Sequence, residues 1–415
     1  MTDVQDPSIT STRATVLVGF AEALSAPEVV WSLVDDGFKV MAFARRGRVS
    51  PLRYSKHVVC HEICAPESSL EESIADLRAL LASLRGAGDG EGLILLPLDD
   101  KAVYLCNKLQ LEDGWHLAGP MGESADLALN KTLQVEAARR AGFAVPNTLF
   151  VNSTEDILGS SADMSFPLIL RPAECVPLHE GRLYKCRNWV CASYEELKSA
   201  VTQWAGRVPL LAQPFIEGVG EGVFGLVVPE GIRAWSGHRR VRMMNPHGSG
   251  SSACVSQPVP DDLKRKAEAL LSSVGWRGMF MIELLRDRSG NLWFVELNGR
   301  PWGSMALSRR QGLEYPAWQA RLAMGQDPSL GITAASHPAG LVCRNVGREL
   351  MHLLFVLKGA KSKALTNWPS FWNTFANVLR IRKGDTFYNW RSDDQKVFLA
   401  DCYCTMHDNL CRSRS

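Results

Sequence analysis

Continuous apolar runs alternate with amphipathic stretches over roughly the first third of the chain. The apolar runs have the length of buried strands and are predicted as strands at residues 14–19, 38–43 and 92–97. The stretches between them have helical spacing and are predicted as helices at residues 27–36 and 70–84. Strands that alternate with helices form a parallel sheet with helical crossovers. The pattern therefore predicts a Rossmann-like domain. The turn after the first strand has Gly19 but lacks the further glycines of a dinucleotide site, so no NAD site is predicted.

The middle of the chain mixes both periodicities. Amphipathic helices are predicted at residues 128–141 and 193–204, the second with Ser193 as its N-cap. Strands dominate after residue 210, and they are predicted at residues 210–216, 222–228, 232–238, 278–285 and 292–297, with a helix at 261–274. After residue 336 the chain is rich in aromatic residues and is predicted to be helical.

Together these patterns predict a chain of mixed α/β and α+β class. We expect a disordered polar tail at residues 1–13, the Rossmann-like domain at 14–125 and a two-lobed α+β domain at 126–335. Its lobes are predicted at about 126–208 and 209–335, and a small helical C-terminal extension follows at 336–415. A chain of 415 residues is long enough for two or three such domains.

Charge and cysteine content narrow the classes of function. Lys and Arg number 46 against 44 Asp and Glu, and the net charge of +2 argues against nucleic acid as a partner. No apolar run approaches the roughly 20 residues that span a bilayer, and the N-terminus has no apolar core of a signal peptide. The eleven cysteines show no zinc-ligand spacing, and free thiols favour a cytoplasmic location.

The strongest candidate chemistry lies on the last two predicted strands of the two-lobed domain. Glu283 lies on one strand, and Glu296 and Asn298 lie two residues apart on the next, so they face the same side. Two carboxylates and an amide oxygen are hard ligands that suit Mg²⁺. Arg300, two residues onward, can reach the same cleft and neutralise a phosphoryl group. The alternative is a solvated hairpin, but the one-sided spacing within apolar strands disfavours it.

This set resembles the ATP-grasp superfamily, which includes biotin carboxylase and the carbamoyl phosphate synthetase large subunit. The family pattern is a Glu on one strand followed by Glu-x-Asn-x-Arg on the next. The resemblance implies that Glu283, Glu296 and Asn298 hold magnesium and that Arg300 orients the substrate or stabilises an acyl phosphate. It also implies that the two lobes form the ATP-grasp domain, with ATP between them.

Further segments of the family pattern occur in the expected order along the chain. The resemblance implies a nucleotide site at Lys131, Arg171, Lys185, Gln213, Phe215, Ile216 and Glu217. In the same way the segments 238–242 and 248–252 are similar to segments that line the substrate cleft. His238 and Arg240 are candidate catalytic residues, because the run His-Arg-Arg is expected to place three cationic side chains beside an anion cleft.

Two departures from the family pattern lie in segments that the resemblance assigns to binding of the ATP phosphates. Arg171 stands where the family has lysine, and a forked guanidinium is not a neutral replacement for an ammonium. The following stretch, residues 173–181, lacks the usual glycine run, so Lys185 is predicted as a second cation. Asp99 and Asp100 follow a strand of the parallel sheet, where they are either ligand contacts or a helix N-cap.

The resemblance implies an ADP-forming carboxylate–amine ligase that uses ATP and Mg²⁺, with Mn²⁺ as an alternative ion. Its partners would be a small carboxylate and an amine, and a homodimer is compatible with the sequence. Two alternatives stay open: a non-catalytic nucleotide-binding pseudoenzyme and an ATP-grasp carboxylase. The basic, aromatic-rich C-terminal extension either packs on the enzyme body or makes peripheral membrane contact.

Overall fold

The structure is a computed structural model. It describes residues 14–86, 92–111, 113–159, 165–184, 187–248, 250–328, 339–360 and 367–411. The tail at residues 1–13, predicted to be disordered, lies outside these ranges. No helix within them is long and apolar enough to cross a membrane.

A five-stranded parallel sheet forms the N-terminal part, in the order β3-β2-β1-β4-β5. Its elements are β1 (Thr15–Gly19), α1 (Ala26–Asp35), β2 (Lys39–Arg45), a 3₁₀ turn (Pro51–Tyr54), β3 (Val59–Ile63), α2 (Leu70–Gly86), β4 (Leu93–Pro97), α3 (Asp100–Asn107) and β5 (Trp115–Leu117). The central strand is buried on both faces, with Val16 and Val18 in one apolar cluster and Leu17 in another. The predicted Rossmann-like parallel sheet is therefore confirmed, whereas the domain boundaries stay predictions.

The first lobe carries a four-stranded antiparallel sheet in the order β10-β7-β11-β6. Its elements are α4 (Glu123–Leu129), α5 (Lys131–Arg140), β6 (Leu149–Val151), α6 (Thr154–Gly159), β7 (Leu168–Pro172), β8 (Leu178–His179), β9 (Arg182–Leu183), β10 (Trp189–Cys191), α7 (Tyr194–Trp204) and β11 (Leu210–Pro214).

The prediction of one continuous helix at residues 128–141 is wrong. Asn130 interrupts it with extended backbone and caps α5, because its side chain accepts hydrogen bonds from the Thr132 and Leu133 N–H groups at 2.9 and 3.2 Å. The break places Lys131 in the first turn of α5, at the wall of a cleft.

A seven-stranded sheet, in the order β16-β15-β12-β13-β14-β17-β18, forms the second lobe. Its elements before the extension are β12 (Gly218–Val228), β13 (Gly231–Met243), β14 (Ser251–Gln257), α8 (Asp261–Ser272), β15 (Gly278–Asp287), β16 (Leu292–Asn298), α9 (Met305–Arg310) and α10 (Tyr315–Ala323). The long β12 pairs with β13 on one side and β15 on the other. Trp302 is fully buried and stacks on Phe224 with ring centroids 4.5 Å apart.

The prediction of a purely helical C-terminal extension is wrong, because two of its segments join the sheet of the second lobe. The elements are β17 (Val342–Arg344), α11 (Val346–Lys358), α12 (Phe371–Leu379), β18 (Thr386–Phe387) and α13 (Gln395–Cys411). Strand β17 pairs antiparallel with β14, and β18 pairs parallel with β17. Trp372 on α12 is 75% exposed, and peripheral membrane contact stays a prediction.

Candidate active site

One cleft of about 1380 Å³ lies where the two lobes meet the carboxyl edge of the parallel sheet. Its lining contains every predicted site residue that the structure describes: Lys131, Arg171, Gln213, Phe215, Ile216, Glu217, His238, Arg240, Glu283, Glu296, Asn298 and Arg300. Lys185, the predicted second phosphate cation, lies outside the described residues. Residues from three parts of the chain are thus brought together as the motifs suggest.

The predicted metal ligands lie on the paired strands β15 and β16. Glu283 and Glu296 are directly opposite each other in the strand register, so their side chains leave the same face of the sheet. Asn298 donates from its amide nitrogen to Glu296 Oε1 at 3.2 Å, which leaves its amide oxygen for a ligand. No group of three or more His, Cys, Asp or Glu side chains suited to a metal occurs in the described chain. The donor set that fits Mg²⁺ here is instead two carboxylates and one amide.

Three cations surround Glu296. Burial would raise the pKa of this carboxyl group, but Lys131, Arg171 and Arg300 outweigh it and hold the pKa at about 2. Glu296 is therefore ionised at neutral pH. Glu296 and Asp100, the partner of Arg300, balance two of these three positive charges, so the site favours a further anion, such as a phosphate group.

The predicted phosphate cations already have partners in the cleft. Lys131 Nζ lies 2.9 Å from Cys175 Sγ and 4.0 Å from Glu296 Oε2. Arg171 donates to the Val295 carbonyl at 3.3 Å and to Glu296 Oε2 at 3.5 Å. The Lys131 N–H donates to the Ala173 carbonyl at 2.7 Å, which ties the glycine-poor loop to the start of α5. The side chains of Lys131 and Arg171 therefore lie beside the carboxylate of Glu296 and come from the first lobe.

The hinge segment between β11 and β12 lines the same cleft. The buried Gln213 donates from its side-chain amide to Thr148 Oγ1 at 2.9 Å. The Phe215 N–H donates to the Pro167 carbonyl at 2.8 Å and so belongs to the lobe's own hydrogen bonding. Glu217 contacts Arg288 at 2.5 Å. The segment therefore connects the two lobes at the cleft, and the three groups described above have hydrogen-bond or ion-pair partners within the protein.

Arg300, just after β16, joins the second lobe to the N-terminal part. Its Nε donates to Asp100 Oδ1 at 2.9 Å and its Nη2 to Asp100 Oδ2 at 3.3 Å. Burial would lower the pKa of Arg300, but Asp100 and Glu296 raise it, so the guanidinium stays charged. Of the two acids that follow β4, Asp99 caps α3 by accepting from the Ala102 N–H at 2.8 Å, and Asp100 orients Arg300.

His238 is buried and neutral, which corrects its predicted role as one of three cationic groups at the cleft. It is 2% exposed, and burial followed by the nearby charge of Arg240 lowers its pKa to about 3. The Nδ1 atom lies 2.8 Å from Ser304 Oγ, and within the described chain the buried Nε2 has no hydrogen-bond partner. Arg240 keeps its charge and donates to Glu283 Oε1 at 2.6 Å.

The cleft wall also holds groups that the motifs do not indicate. These are Arg348 and His352, which come from α11 of the extension. Helix α11 directly follows the three-residue strand β17, which pairs with β14, and so short a strand gives no clear periodicity. Asn345 caps the helix, because its side chain accepts from the Arg348 N–H at 2.9 Å.

Comparisons with known proteins agree on the fold. No model of a known protein family matches the chain. The carbamoyl phosphate synthase large chain of Vibrio cholerae serotype O1 is 22% identical over 222 residues, which cover 51% of this chain. The match spans only a fifth, 20%, of that relative's length.

Several solved structures superpose over most of the chain. N5-carboxyaminoimidazole ribonucleotide synthetase in complex with ADP is 14% identical, with a TM-score of 0.59 over 89% of this chain and 97% of that one. L-amino acid ligase from Bacillus licheniformis is 15% identical, with a TM-score of 0.56 over 80% and 79% of the two chains. The biotin carboxylase domain of Hydrogenobacter thermophilus 2-oxoglutarate carboxylase, solved with MgADP and bicarbonate, is 16% identical, with a TM-score of 0.56 over 75% and 70%. The resemblance to ATP-grasp ligases predicted from the sequence is confirmed, and at these identities it concerns the fold.

Proposed function

We propose that this chain is an ATP-dependent carboxylate–amine ligase that forms an acyl phosphate, makes an amide or peptide bond and releases ADP and phosphate. The observation that carries the proposal is the convergence on Glu296 of three cations, Lys131, Arg171 and Arg300, opposite Glu283 on the neighbouring strand. Such a cluster suits the terminal phosphate of a nucleotide. The shared fold of the ligases above supports the same class.

The nucleotide end of the cleft would be the side of the first lobe. We assign the phosphates to Lys131 and Arg171, and the adenosine to Gln213, Phe215, Ile216 and Glu217. Glu283, Glu296 and Asn298 would hold Mg²⁺, with Mn²⁺ as an alternative, and the bound ion would neutralise phosphate charge. Glu283 and Glu296 contact Arg240 and Arg171, so these two ion pairs must open or be shared when a metal ion binds.

In the proposed reaction the substrate carboxylate oxygen attacks the terminal phosphorus of ATP, and ADP leaves. The amine nitrogen then attacks the acyl carbon; the C–N bond forms, the C–O bond to phosphate breaks, and the amine loses a proton. Arg300, held by Asp100, is placed to stabilise the charge on the transferring phosphoryl group. Closure of the cleft would keep water from the acyl phosphate. Because a solved neighbour is an L-amino acid ligase by name, we propose amino acids or small peptides as substrates.

A non-catalytic nucleotide sensor is a second candidate, favoured by one observation. Both predicted metal carboxylates are engaged by arginines, Glu283 by Arg240 and Glu296 by Arg171. An ATP-grasp carboxylase is a third, because the fold is shared with a biotin carboxylase domain. Phosphate release that depends on an added acid and amine favours the ligase, release that depends on bicarbonate favours the carboxylase, and ATP binding without turnover favours the sensor.

The experiment is a matrix of carboxylic acids against amines with MgATP, followed by phosphate release and by the mass of the product. We expect one acid–amine pair to give both signals, and Glu296→Gln or Asn298→Ala to abolish them while the protein still melts cooperatively. The control is Glu268→Gln on the exposed face of α8, which changes the same chemical group outside the cleft and should leave turnover unchanged. Full activity in Glu296→Gln would remove the metal assignment.

A further inference from the structure

The cleft is larger than a nucleotide alone needs. Its volume of about 1380 Å³ exceeds the usual range of about 300–1,000 Å³ for a single-ligand pocket. Part of the cleft is lined by β13, by the start of β14 and by residues of the C-terminal extension, among them Arg348, His352 and Asn377. This part of the cleft has the position of a second substrate site, next to the metal-binding strands.

Most of the enclosed arginines in this part of the cleft form ion pairs with carboxylates of the protein. Arg240 contacts Glu283 at 2.6 Å, and Arg242 contacts Glu349. Arg344, behind the cleft wall, contacts Glu349 at 2.5 Å and Asp385 at 3.2 Å. These pairs leave no unbalanced charge at their own positions.

Arg348 differs from its neighbours. Its Nη1 donates to the Ser251 carbonyl at 3.1 Å, and the described residues offer it neither an ion pair nor another partner for the guanidinium. Gly250 makes room for the group, since a Cβ there would lie 2.7 Å from Arg348 Nη1. A guanidinium has five N–H donors, so most of them are left to point into the cleft.

The surroundings of Arg348 do not compensate its charge. Burial lowers the pKa of Arg348, and the positive charge of Arg240 lowers it further, whereas the carboxylate of Asp401 raises it. Burial also raises the pKa of Asp401, whose carboxylate accepts from Asn345 Nδ2 at 3.1 Å. His352, one helical turn along α11, has a pKa that is lowered by burial, and it is therefore neutral. An enclosed and unpaired guanidinium costs free energy unless a ligand anion pairs with it.

We propose that Arg348 binds an anionic group of the substrate, so that the preferred acid carries a second carboxylate or a phosphate besides the carboxylate that is activated. The proposal rests on the proposed function, because it takes the reacting carboxylate to lie at Glu283, Glu296 and Arg300. Arg240 contacts Glu283 on one side, and its charge acts on Arg348 on the other. The second anionic group would thus lie beyond Arg240, toward the C-terminal extension.

The test measures binding and does not require turnover. With saturating Mg²⁺ and a non-hydrolysable ATP analogue, the melting temperature is recorded against succinate, its monoamide succinamate, and inorganic phosphate. In the wild type we expect succinate or phosphate to stabilise the protein at concentrations about tenfold lower than succinamate does, as one charge-assisted contact allows. A response to succinate alone identifies a carboxylate as the second group, and a response to phosphate alone identifies a phosphate.

Variants assign the effect to Arg348. Arg348→Met should remove the preference over succinamate, and Arg348→Lys should keep part of it. Gly250→Ala should weaken it by displacing the guanidinium without removing its charge, which keeps the test valid should Arg348→Met fail to fold. Lys358→Met is the control, since it removes a positive charge from the exposed end of the same helix, outside the cleft.

Equal responses to succinate and succinamate in a wild type that also shows no response to phosphate, or an unchanged preference in Arg348→Met, would overturn the inference. Affinity for the ATP analogue serves as the internal reference and should be the same in all variants. The two proposals fail separately. ATP turnover without any preference for a dianion would contradict only the proposed role of Arg348. A preference that depends on Arg348 but occurs without turnover would contradict only the proposed ligase activity.

Discussion

At the scale of single residues, burial decides which groups near the cleft carry charge. Glu296 keeps its charge because Lys131, Arg171 and Arg300 outweigh the cost of burial. His238 has no such partner and faces the like charge of Arg240, so it stays neutral. A sequence shows which residues are titratable, but it does not show which neighbours the fold gives them.

We expect the neutral, buried His238 to make stability depend on pH. The unfolded chain binds a proton at this residue below about pH 6.5, whereas the folded chain does so only near pH 3. Unfolding therefore takes up a proton, and the free energy of unfolding should fall as the pH is lowered from 6.5 toward 3, by up to about 1.4 kcal/mol per pH unit.

Urea unfolding of the wild type and of His238→Gln at pH 7, 6 and 5 measures this contribution. The variant should be less dependent on pH, even if its stability at pH 7 is lower. His352 has a lowered pKa too, but it is present in both proteins and cancels in the comparison. Identical pH slopes would show that His238 is protonated in the folded state.

Arg171 is the clearest departure from the ATP-grasp pattern, and its environment predicts how it can be replaced. Because it supplies a cation beside Glu296, Arg171→Lys should keep ATP affinity within a few-fold. Arg171→Ala should weaken ATP binding about 10- to 100-fold, as expected for the loss of a charge-assisted contact, with a smaller effect on the melting temperature. Calorimetric titration with a non-hydrolysable ATP analogue checks both, and unchanged affinity in the alanine variant would assign Arg171 to structure.

At the scale of elements, the sequence predicted long periodic segments well and short ones poorly. The strands predicted at residues 14–19, 38–43 and 92–97, the helices between them, and the paired strands that carry Glu283 and Glu296 are all present, whereas β3, α3 and β5 were not predicted. The break at Asn130 was missed because the apolar spacing continues across it, although asparagine is a favoured N-cap. Strands β17 and β18 have three and two residues, too few to show a period.

The C-terminal extension is also tied to the N-terminal part, which predicts a contribution to global stability. Asp394, buried just before α13, accepts from Trp31 Nε1 at 3.0 Å, from Ser55 Oγ at 2.5 Å and from the Lys56 N–H at 3.3 Å. We expect Asp394→Ala to lower the free energy of unfolding by about 2–4 kcal/mol, because it removes three hydrogen bonds and leaves the buried Trp31 N–H unpaired.

Urea unfolding followed by tryptophan fluorescence measures this loss. The matched control is Asp408→Ala on the exposed part of α13, which should change stability by no more than about 0.5 kcal/mol. A similar, small effect in both variants would mean that the extension is not coupled to the N-terminal part.

At the scale of the whole molecule, the cleft is assembled from three parts of the chain, and Arg300 links two of them through Asp100. The motifs predicted the two strands with Glu283 and Glu296, the first-lobe cations and residues 213–217 as parts of one cleft, and all of them line it, because each is a compact stretch of sequence. They could not identify Asp100 as the partner of Arg300 or place Arg348 in the cleft, because these depend on how distant segments pack.

Arg300→Ala should slow turnover about 10²- to 10³-fold, as is typical for the loss of one preorganised charge-stabilising donor. Its effect on ATP affinity should be small, because the charge that it stabilises develops in the transition state. The double variant Arg300→Ala/Asp100→Asn controls for the acid that is left unpaired and should be as slow. Steady-state kinetics together with ATP titration separates the two effects, and a large loss of ATP affinity alone would make Arg300 a nucleotide-binding residue.

The central claim is phosphoryl transfer to a carboxylate, and the products of ATP test it most directly. The reaction contains MgATP and the acid–amine pair that the screen of acids against amines identifies. Chromatography should then show ADP and phosphate in amounts equal to the amide product. With hydroxylamine in place of the amine, the hydroxamate of the same acid should accumulate, because hydroxylamine captures the acyl phosphate. AMP and pyrophosphate as the products, with the same acid and amine, would contradict the account.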